Sequence, residues 1–132
     1  MRRAEYEAGL YAAWKARTAL TRLLRDGERS IYRNKAPAET YERCSFVVYR
    51  VTSDNASVTA DDREWSSVLQ IRLHVVTADG NHDAIEDQLR ALMRERGAAR
   101  LKAMLYEDDG RQILISDHVA MIYRGDDDEE IS

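Results

Sequence analysis

Hydrophobic and polar residues alternate most regularly between residues 45 and 77, where two runs predict a pair of β-strands. The first run, SFVVYRV, is apolar on both sides, which is typical of a strand covered on both faces of a sheet. The second run, WSSVLQIRLHVVT, alternates along its whole length, which is typical of a half-buried strand. One face of the second strand consists of Trp65, Ser67, Leu69, Ile71, Leu73 and Val75.

A polar stretch joins the two strands, and we predict that residues 53–64 form a loop. Hairpin connections usually have 2–5 residues, and longer loops are usually functional or disordered. The second strand has 13 residues, which span roughly 43 Å. A compact domain of this size is only about 36 Å across. The strand therefore either bends at a bulge or projects at its Trp65 end, together with the loop, as an arm.

Helical periodicity predicts two helices, one on each side of this hairpin. The first, from Ala4 to Arg25, has an apolar stripe that includes Trp14, which we assign to the core. The second, from His82 to Arg96, has an inward stripe and ends at Gly97. The members of that stripe are Ile85, Gln88, Leu89, Leu92 and Met93.

Three further strands complete the prediction: a short one around Ser30–Arg33, and a final hairpin with strands at 101–106 and 112–124. The inward set of the last strand changes phase near Ser116, which predicts a bulge there. The order is helix, short strand, two long strands, helix, two strands. We predict an α+β fold in two layers, with two helices on one face of a mostly antiparallel sheet.

Composition indicates a single domain, residues 1–125, followed by an acidic C-terminal tail, residues 126–132. The chain has 132 residues and a net charge of −4. Residues 126–130 hold five of its 24 acidic side chains, which leaves 19 acidic against 20 basic ones. A nearly neutral body disfavours tight nonspecific binding to nucleic acid. The tail is predicted to be disordered and solvated, or else to repel DNA or dock on a basic neighbour.

No transmembrane stretch or signal peptide is evident, and the single Cys44 is typical of a chain kept in a cytoplasm. The motifs of phosphate-binding loops, zinc sites and nucleophile elbows are absent. An enzyme would need His74 and His118 to meet an acidic residue in one cleft. Because the histidines are scattered along the sequence, we expect no catalytic activity, no cofactor and no metal. Asp61–Asp62 and Asp108–Asp109 are at most weak cation ligands.

The segment SFVVYRVTSDNASVTADDREWSSVLQIRLHVVT, with the following GNHDAIEDQLRALM helix, resembles the central hairpin of tail-terminator, or tail-completion, proteins of long-tailed bacteriophages. The element order is similar across residues 4–124. In that family a proline usually precedes the first long strand, whereas this chain has Cys44 and Ser45 there.

The resemblance implies a structural virion protein. Such proteins form a ring, commonly of six copies, that caps the tail tube, ends its polymerisation and joins the tail to the head connector. The implied partners are other copies of the chain, the tail tube protein and the head–tail connector protein, with DNA only passing through the lumen. The implied location is the virion tail, assembled in the host cytoplasm, without a membrane partner.

Ring contacts are head to tail, and a projecting hairpin can reach a neighbouring subunit. We therefore predict that Val58, Asp61, Asp62, Arg63 and Trp65 form the subunit or partner interface. Trp65 is equally well explained as a core aromatic residue. Val58 is the sharper case, because an apolar residue in a polar loop has no evident intramolecular role. Val58→Asp is expected to leave the monomer folded and to weaken assembly.

Two other functions fit the same pattern. A head-to-tail adaptor, or a neck or baseplate component, keeps the protein in virus assembly but changes its position. A cytoplasmic ligand-binding or regulatory α+β domain belongs to a different class. That last function predicts a concave apolar pocket with a few convergent polar groups.

Overall fold

The computed structural model describes residues 2–42, 44–60 and 63–123, apart from the side chains of residue 41 and of residues 57–60 and 63–65. In chain order its elements are α1 (Arg3–Ala16), α2 (Thr18–Thr21), β1 (Ile31–Arg33), β2 (Phe46–Ala60), β3 (Arg63–Thr77), α3 (His82–Glu95), β4 (Ala98–Asp108) and β5 (Arg111–Tyr123). The strands form one sheet in the order β1-β2-β3-β5-β4. Among them, β1 and β2 are parallel and the other neighbours are antiparallel. The predicted α+β fold is confirmed.

The main core lies between the sheet and a helix layer made of α1 and α3. Trp14 from α1 is fully buried, and its indole Nε1 donates a hydrogen bond to the Leu89 carbonyl of α3 at 3.2 Å. The predicted core role of Trp14 is confirmed. The sheet contributes alternate residues of β2, β3 and β5 to this core. They include Val47, Tyr49, Leu69, Ile71, Leu73, Val75, Leu114, Ala120 and Ile122.

The other side of the sheet carries a small second cluster, made of Phe46, Val48 and Val76. The start of β2 is therefore buried on both faces, as its continuous apolar run predicts. Beyond this cluster that side is not covered by a helix among the described residues. We call it the open face.

The first predicted helix is wrong in one respect, because it is not continuous from Ala4 to Arg25. The backbone is extended at Arg17, with φ −87° and ψ 100°, so that α1 ends at Ala16 and a single turn, α2, follows. In a straight helix Leu20 would lie about 120° around the axis from Trp14. The break reorients the chain, and Leu20 becomes fully buried. The Arg17 guanidinium Nε donates to Gln88 of α3 at 2.7 Å.

The predicted loop at residues 53–64 is also wrong for the residues described. Residues 53–60 continue β2, and β3 begins at Arg63, so that strand pairing extends to the pair Ala60–Arg63. Pairing with β3 satisfies the backbone of this stretch, and residues 53–56 of β2 are half-buried or exposed. Such a ribbon needs no apolar alternation, which is why the sequence of this strand resembles a loop.

The predicted phase change in β5 is wrong, and the bulge lies in β4 instead. The pairs Arg100–His118 and Lys102–Asp117 leave Leu101 as an extra residue in β4. In β5 the even-numbered residues from Leu114 to Ile122 are all buried. Two of these interior residues, Ser116 and His118, are polar, and this makes the inward pattern look shifted in the sequence.

The remaining element predictions are confirmed within one to three residues, the largest difference being at the start of β4, which is Ala98 and not residue 101. The short strand is β1, and the second helix is α3, which is followed by Gly97 at φ +79°. That positive φ is the left-handed conformation expected just after a helix. None of the described helices is both long and apolar enough to span a membrane.

Candidate interaction surface

The terminal hairpin, β4 and β5, exposes large apolar side chains. The large hydrophobic residues that are exposed within the described part of the chain are Leu101, Met104, Leu105, Tyr106, Met121 and Tyr123. Their exposed fractions run from 45% to 63%. Single exposed apolar residues are ordinary, but their concentration in one element is typical of an interaction site.

Four of these residues lie on the open face, in two groups. Tyr106 and Met104 are opposite Ile113 and Ile115 near the hairpin turn. At the other end of β5, Met121 is opposite Val68, and Tyr123 is opposite Ser66. Leu105 is opposite the buried Leu114 and therefore lies on the helix side of the edge. Apolar residues thus occupy both sides of β4, and this is the signal in the sequence that marks the hairpin as a surface for contact.

A charged row separates the two apolar groups on the open face. Arg72 donates two hydrogen bonds to Asp117, at 2.8 and 3.1 Å, and the Lys102 ammonium lies 4.0 Å from the same carboxylate. The hydrogen bond from Arg72 holds the pKa of Asp117 below its usual value, against the opposing effect of burial. Arg50 is opposite Arg72 on β2 and extends the row. The row is therefore more basic than acidic.

The sheet has two free edges among the described residues. β1 pairs with β2 only at residues 47–49, so the outer edge of β2 has no strand partner from Arg50 to Ala60. β4 forms the opposite edge along its whole length. Free edges present unpaired N–H and C=O groups and are templates for pairing with another chain. One molecule therefore carries two different edges that can pair with a neighbour.

The predicted interface residues all belong to the distal end of the β2–β3 hairpin. Val58 is in β2, opposite Ser66, and Arg63 is in β3, opposite Ala60. Trp65 falls at a register shift between the pairs Val58–Ser66 and Thr59–Glu64. Their side chains, like all of Asp61 and Asp62, lie outside the described part of the chain. The proposed interface role of these five residues stays a prediction.

Register shifts bend this hairpin at three places, one in β2 after Val51 and two around Val58. β5 ends at Tyr123, opposite Ser66, so residues 57–65 extend beyond the last rung shared with β5. We call residues 57–65 the arm. A register shift of the kind that was predicted for the long strand is thus present, and the projection of its Trp65 end stays a prediction.

The structure does not bring the histidines together. His74 is opposite Ile115 on the open face, whereas His118 is opposite Ile71 on the helix side. The sheet separates them, so the arrangement that an enzyme was predicted to need is not formed. Across the described residues no group of three His, Cys, Asp or Glu side chains could hold a metal ion. The Asp109 carboxylate instead faces Arg111 at 3.5 Å.

A Ser–His contact that the sequence analysis did not single out lies inside the core. Ser116 Oγ and His118 Nε2 are 3.0 Å apart, and both residues are at most 1% exposed. Burial, together with the positive charges of Arg90 and Arg100, lowers the pKa of His118 to about 4. The imidazole is therefore neutral at pH 7. The contact satisfies two buried polar groups.

The cavities are small. One of about 250 Å³ lies between α1 and the start of the sheet, against the ion pair of Glu7 with Arg33 and the rings of Tyr11 and Tyr49. Another of about 280 Å³ lies beside His74 on the open face. Ligand pockets usually measure roughly 300–1,000 Å³. These cavities give little support to a ligand-binding role.

No protein-family model matches the chain, and a search of curated proteins found no significant relative.

Proposed function

We propose that this protein is a structural virion subunit that forms a ring on the tail tube of a long-tailed bacteriophage. The ring ends polymerisation of the tube and joins the tail to the head connector. The proposed partners are other copies of the chain, the tube protein and the connector protein, and DNA passes through the lumen. The role requires no catalysis. The resemblance of the central hairpin and of the element order across residues 4–124 supports this assignment, and so do the surfaces described above.

The observation that carries the proposal is the exposure of six large apolar side chains on the terminal hairpin. Burying apolar surface stabilises an assembly by about 25 cal/mol per Å² before the costs of association. In a monomer Leu105 and Tyr106 stay exposed to water, so this part of their apolar surface does not stabilise the fold. A neighbouring subunit that covers β4 removes both from water.

The two free edges explain how such contacts close into a ring. A head-to-tail contact joins two different surfaces, and it closes when the rotation between copies divides a full turn. In this chain the outer edge of β2, from Arg50 to Ala60, can pair with β4 of the next copy. The arm then extends over that neighbour. Repeating the same contact gives a continuous belt of sheet around the lumen.

Native mass spectrometry over a concentration series tests the proposal. Six chains of 15.2 kDa give a ring of about 91 kDa. Leu105→Lys adds a charge to the exposed hairpin and is expected to shift this species to the monomer. Ala84→Lys adds the same charge to an exposed position on α3 and is the matched control. It is expected to leave the ring intact.

A tail terminator can also assemble only on a finished tube. The second measurement is therefore tube growth in the presence of added protein. Wild type and Ala84→Lys are expected to halt growth, and Leu105→Lys is expected to fail. A wild-type protein that stays monomeric at every concentration and leaves tube growth unchanged would overturn the proposal.

A further inference from the structure

A basic pocket lies on the helix side of the sheet, between the last turns of α3 and the start of β4. Its volume is about 250 Å³. Three arginines line it, Arg90 and Arg94 from α3 and Arg100 from β4, and His118 also contributes to its wall. We call it the arginine pocket. None of the six exposed apolar residues of the terminal hairpin lines it.

The charges in the arginine pocket do not balance. Glu86 is buried, and its Oε1 accepts a hydrogen bond from Arg100 at 2.6 Å and lies 3.7 Å from Arg90. Arg94 makes no side-chain hydrogen bond or ion pair with the rest of the described chain. His118 is neutral at pH 7. Three guanidinium groups therefore face one carboxylate, which leaves a surplus of two positive charges.

This surplus suits a carboxylate-rich ligand. A guanidinium group presents a planar fork of N–H donors that matches a carboxylate, and the paired bonds are stronger than neutral ones. Nucleic acid would need a continuous basic stripe that follows several phosphates. The arginine pocket is instead a compact site that accommodates one or two acidic side chains.

The chain carries such a ligand at its own C-terminus. Residues 126–130 are Asp-Asp-Asp-Glu-Glu, which is five negative charges in succession. β4 begins at Ala98, opposite Ala120, so the outer edge of β5 has no strand neighbour from Met121 to Tyr123. The chain can turn around that open edge towards the helix side.

The distances allow this return within one molecule. Tyr123 is three residues beyond the Ala98–Ala120 pair, or about 10 Å along the strand. Glu130 is seven residues beyond Tyr123, and seven residues reach at most about 24 Å. The chain is therefore long enough for the second half of the acidic segment to reach the arginine pocket. We propose that the arginine pocket is an anion site that holds the chain's own acidic C-terminal segment, residues 126–130. This inference does not rest on the ring.

NMR of the full chain tests the site. In a neutral-tail variant Asp126, Asp127 and Asp128 become Asn, and Glu129 and Glu130 become Gln. We expect the chemical shifts of this variant to differ from those of wild type at the Nε–Hε groups of the three pocket arginines and at the amides of residues 98–100. Changes confined to residues 121–123, or centred on Arg50 and Lys102 of the open face, would overturn the proposal.

Titration of the neutral-tail chain with a synthetic peptide of residues 124–132 tests the ligand. The peptide is expected to restore the wild-type shifts. Its affinity should fall about threefold with Arg94→Gln and should stay the same with Arg22→Gln, an exposed arginine outside the arginine pocket. Equal losses for the two variants would show nonspecific attraction and would contradict the site.

Two further titrations test the source of the ligand. Inorganic phosphate is expected to bind more weakly than the peptide, and tighter binding of phosphate would overturn the assignment to the acidic segment. Unlabelled wild-type chain is added to labelled neutral-tail chain at a concentration where both are monomeric. No shift change is expected, because each tail occupies its own pocket. Restoration of the wild-type shifts would show docking between molecules and would overturn the intramolecular proposal.

Discussion

At the residue scale, this fold depends on a few polar side chains in and beside its core. Ser116 and His118 are hydrogen-bonded to each other on the helix side of β5. Asp117, which lies between them in sequence, is on the open face and binds Arg72. Because successive side chains of a strand point to opposite faces, neighbouring residues of β5 place a neutral pair on one face of the sheet and an ion pair on the other. The two groups respond to pH through different mechanisms.

The Asp117 ion pair predicts a pH-dependent contribution to stability. In the folded state the pKa of the Asp117 carboxyl is lowered. The stability that the ion pair contributes is therefore present above the pKa of the unfolded state, about 3.9, and is lost as the pH falls through the pKa of the folded state. Asp117→Asn should lower the free energy of unfolding by about 1–3 kcal/mol at pH 7, because the buried bonds to Arg72 weaken. Urea titrations at pH 7 and pH 3 should show a smaller difference at pH 3. Asp109→Asn, whose side chain is 86% exposed, should have little effect. A similar loss from both variants at pH 7 would contradict the prediction.

His118 predicts a second, separate pH dependence. Its folded pKa of about 4 lies below the unfolded value of about 6.5, so the unfolded chain binds more protons between these limits. Stability should therefore fall as the pH falls through this window, by about 2 kcal/mol between pH 7.5 and pH 5. His118→Gln should remove most of that dependence while costing some stability at pH 7.5. Urea titrations across this range check it. An unchanged slope in the variant would show that other groups cause the dependence.

At the element scale, the β2–β3 hairpin serves two purposes. Its inner part belongs to the core sheet, and its outer part lies beyond the Val58–Ser66 pair, because Ser66 is the last residue of β3 that pairs with β5. The register shifts lie at and beyond the edge of the core. Bulges bend a strand and increase its twist locally, so these register shifts are the positions at which the hairpin can change direction.

Trimming the arm should separate folding from assembly. Replacing residues 57–66 with a two-residue Asn-Gly turn closes the hairpin at the Ala56–Ser67 pair, a length that suits such a turn. The free energy of unfolding should change by less than about 1 kcal/mol, because the replaced segment contains none of the hydrophobic residues that are buried in the described part of the chain. The proposed ring should be lost. Calorimetry with native mass spectrometry measures both, and a trimmed chain that still forms the ring would remove the arm from the interface. Val58→Asp is the single-residue version of the same test.

At the scale of the whole molecule, the sheet presents one edge on each side. Such long edges are usually blunted or covered in monomers. β4 exposes apolar side chains on both of its faces, beside charged residues such as Arg100 and Lys102. The two sides together are consistent with a subunit that pairs with a copy at each edge.

Hydrogen exchange can show whether the two edges become paired. On assembly, amides that point outward from residues 50–60 of β2 and from β4 should exchange at least about tenfold more slowly, because their N–H groups gain partners. Amides in the middle of α1 should exchange at the same rate in both states. Equal edge exchange in monomer and assembly would show that the ring, if formed, does not use a continuous sheet.

The sequence alone determined the order of the elements and the main core. The alternation in β3 and the helical stripe of α3 predicted the buried faces correctly, since Leu69, Leu73 and Leu89 are all fully buried. Periodicity carries this information because an element has to bury its apolar side wherever it packs. The α+β layering follows from the number and order of such faces.

Only the tertiary structure decided which apolar faces remain uncovered. Leu105 and Tyr106 read in sequence like ordinary strand residues, and they are exposed because β4 lies at the edge of the sheet. The break at Arg17, the extension of β2 through residues 53–60, and the interior positions of Ser116 and His118 were decided in the same way. Each depends on which element lies alongside, and that is set by packing between distant parts of the chain, which local periodicity does not report.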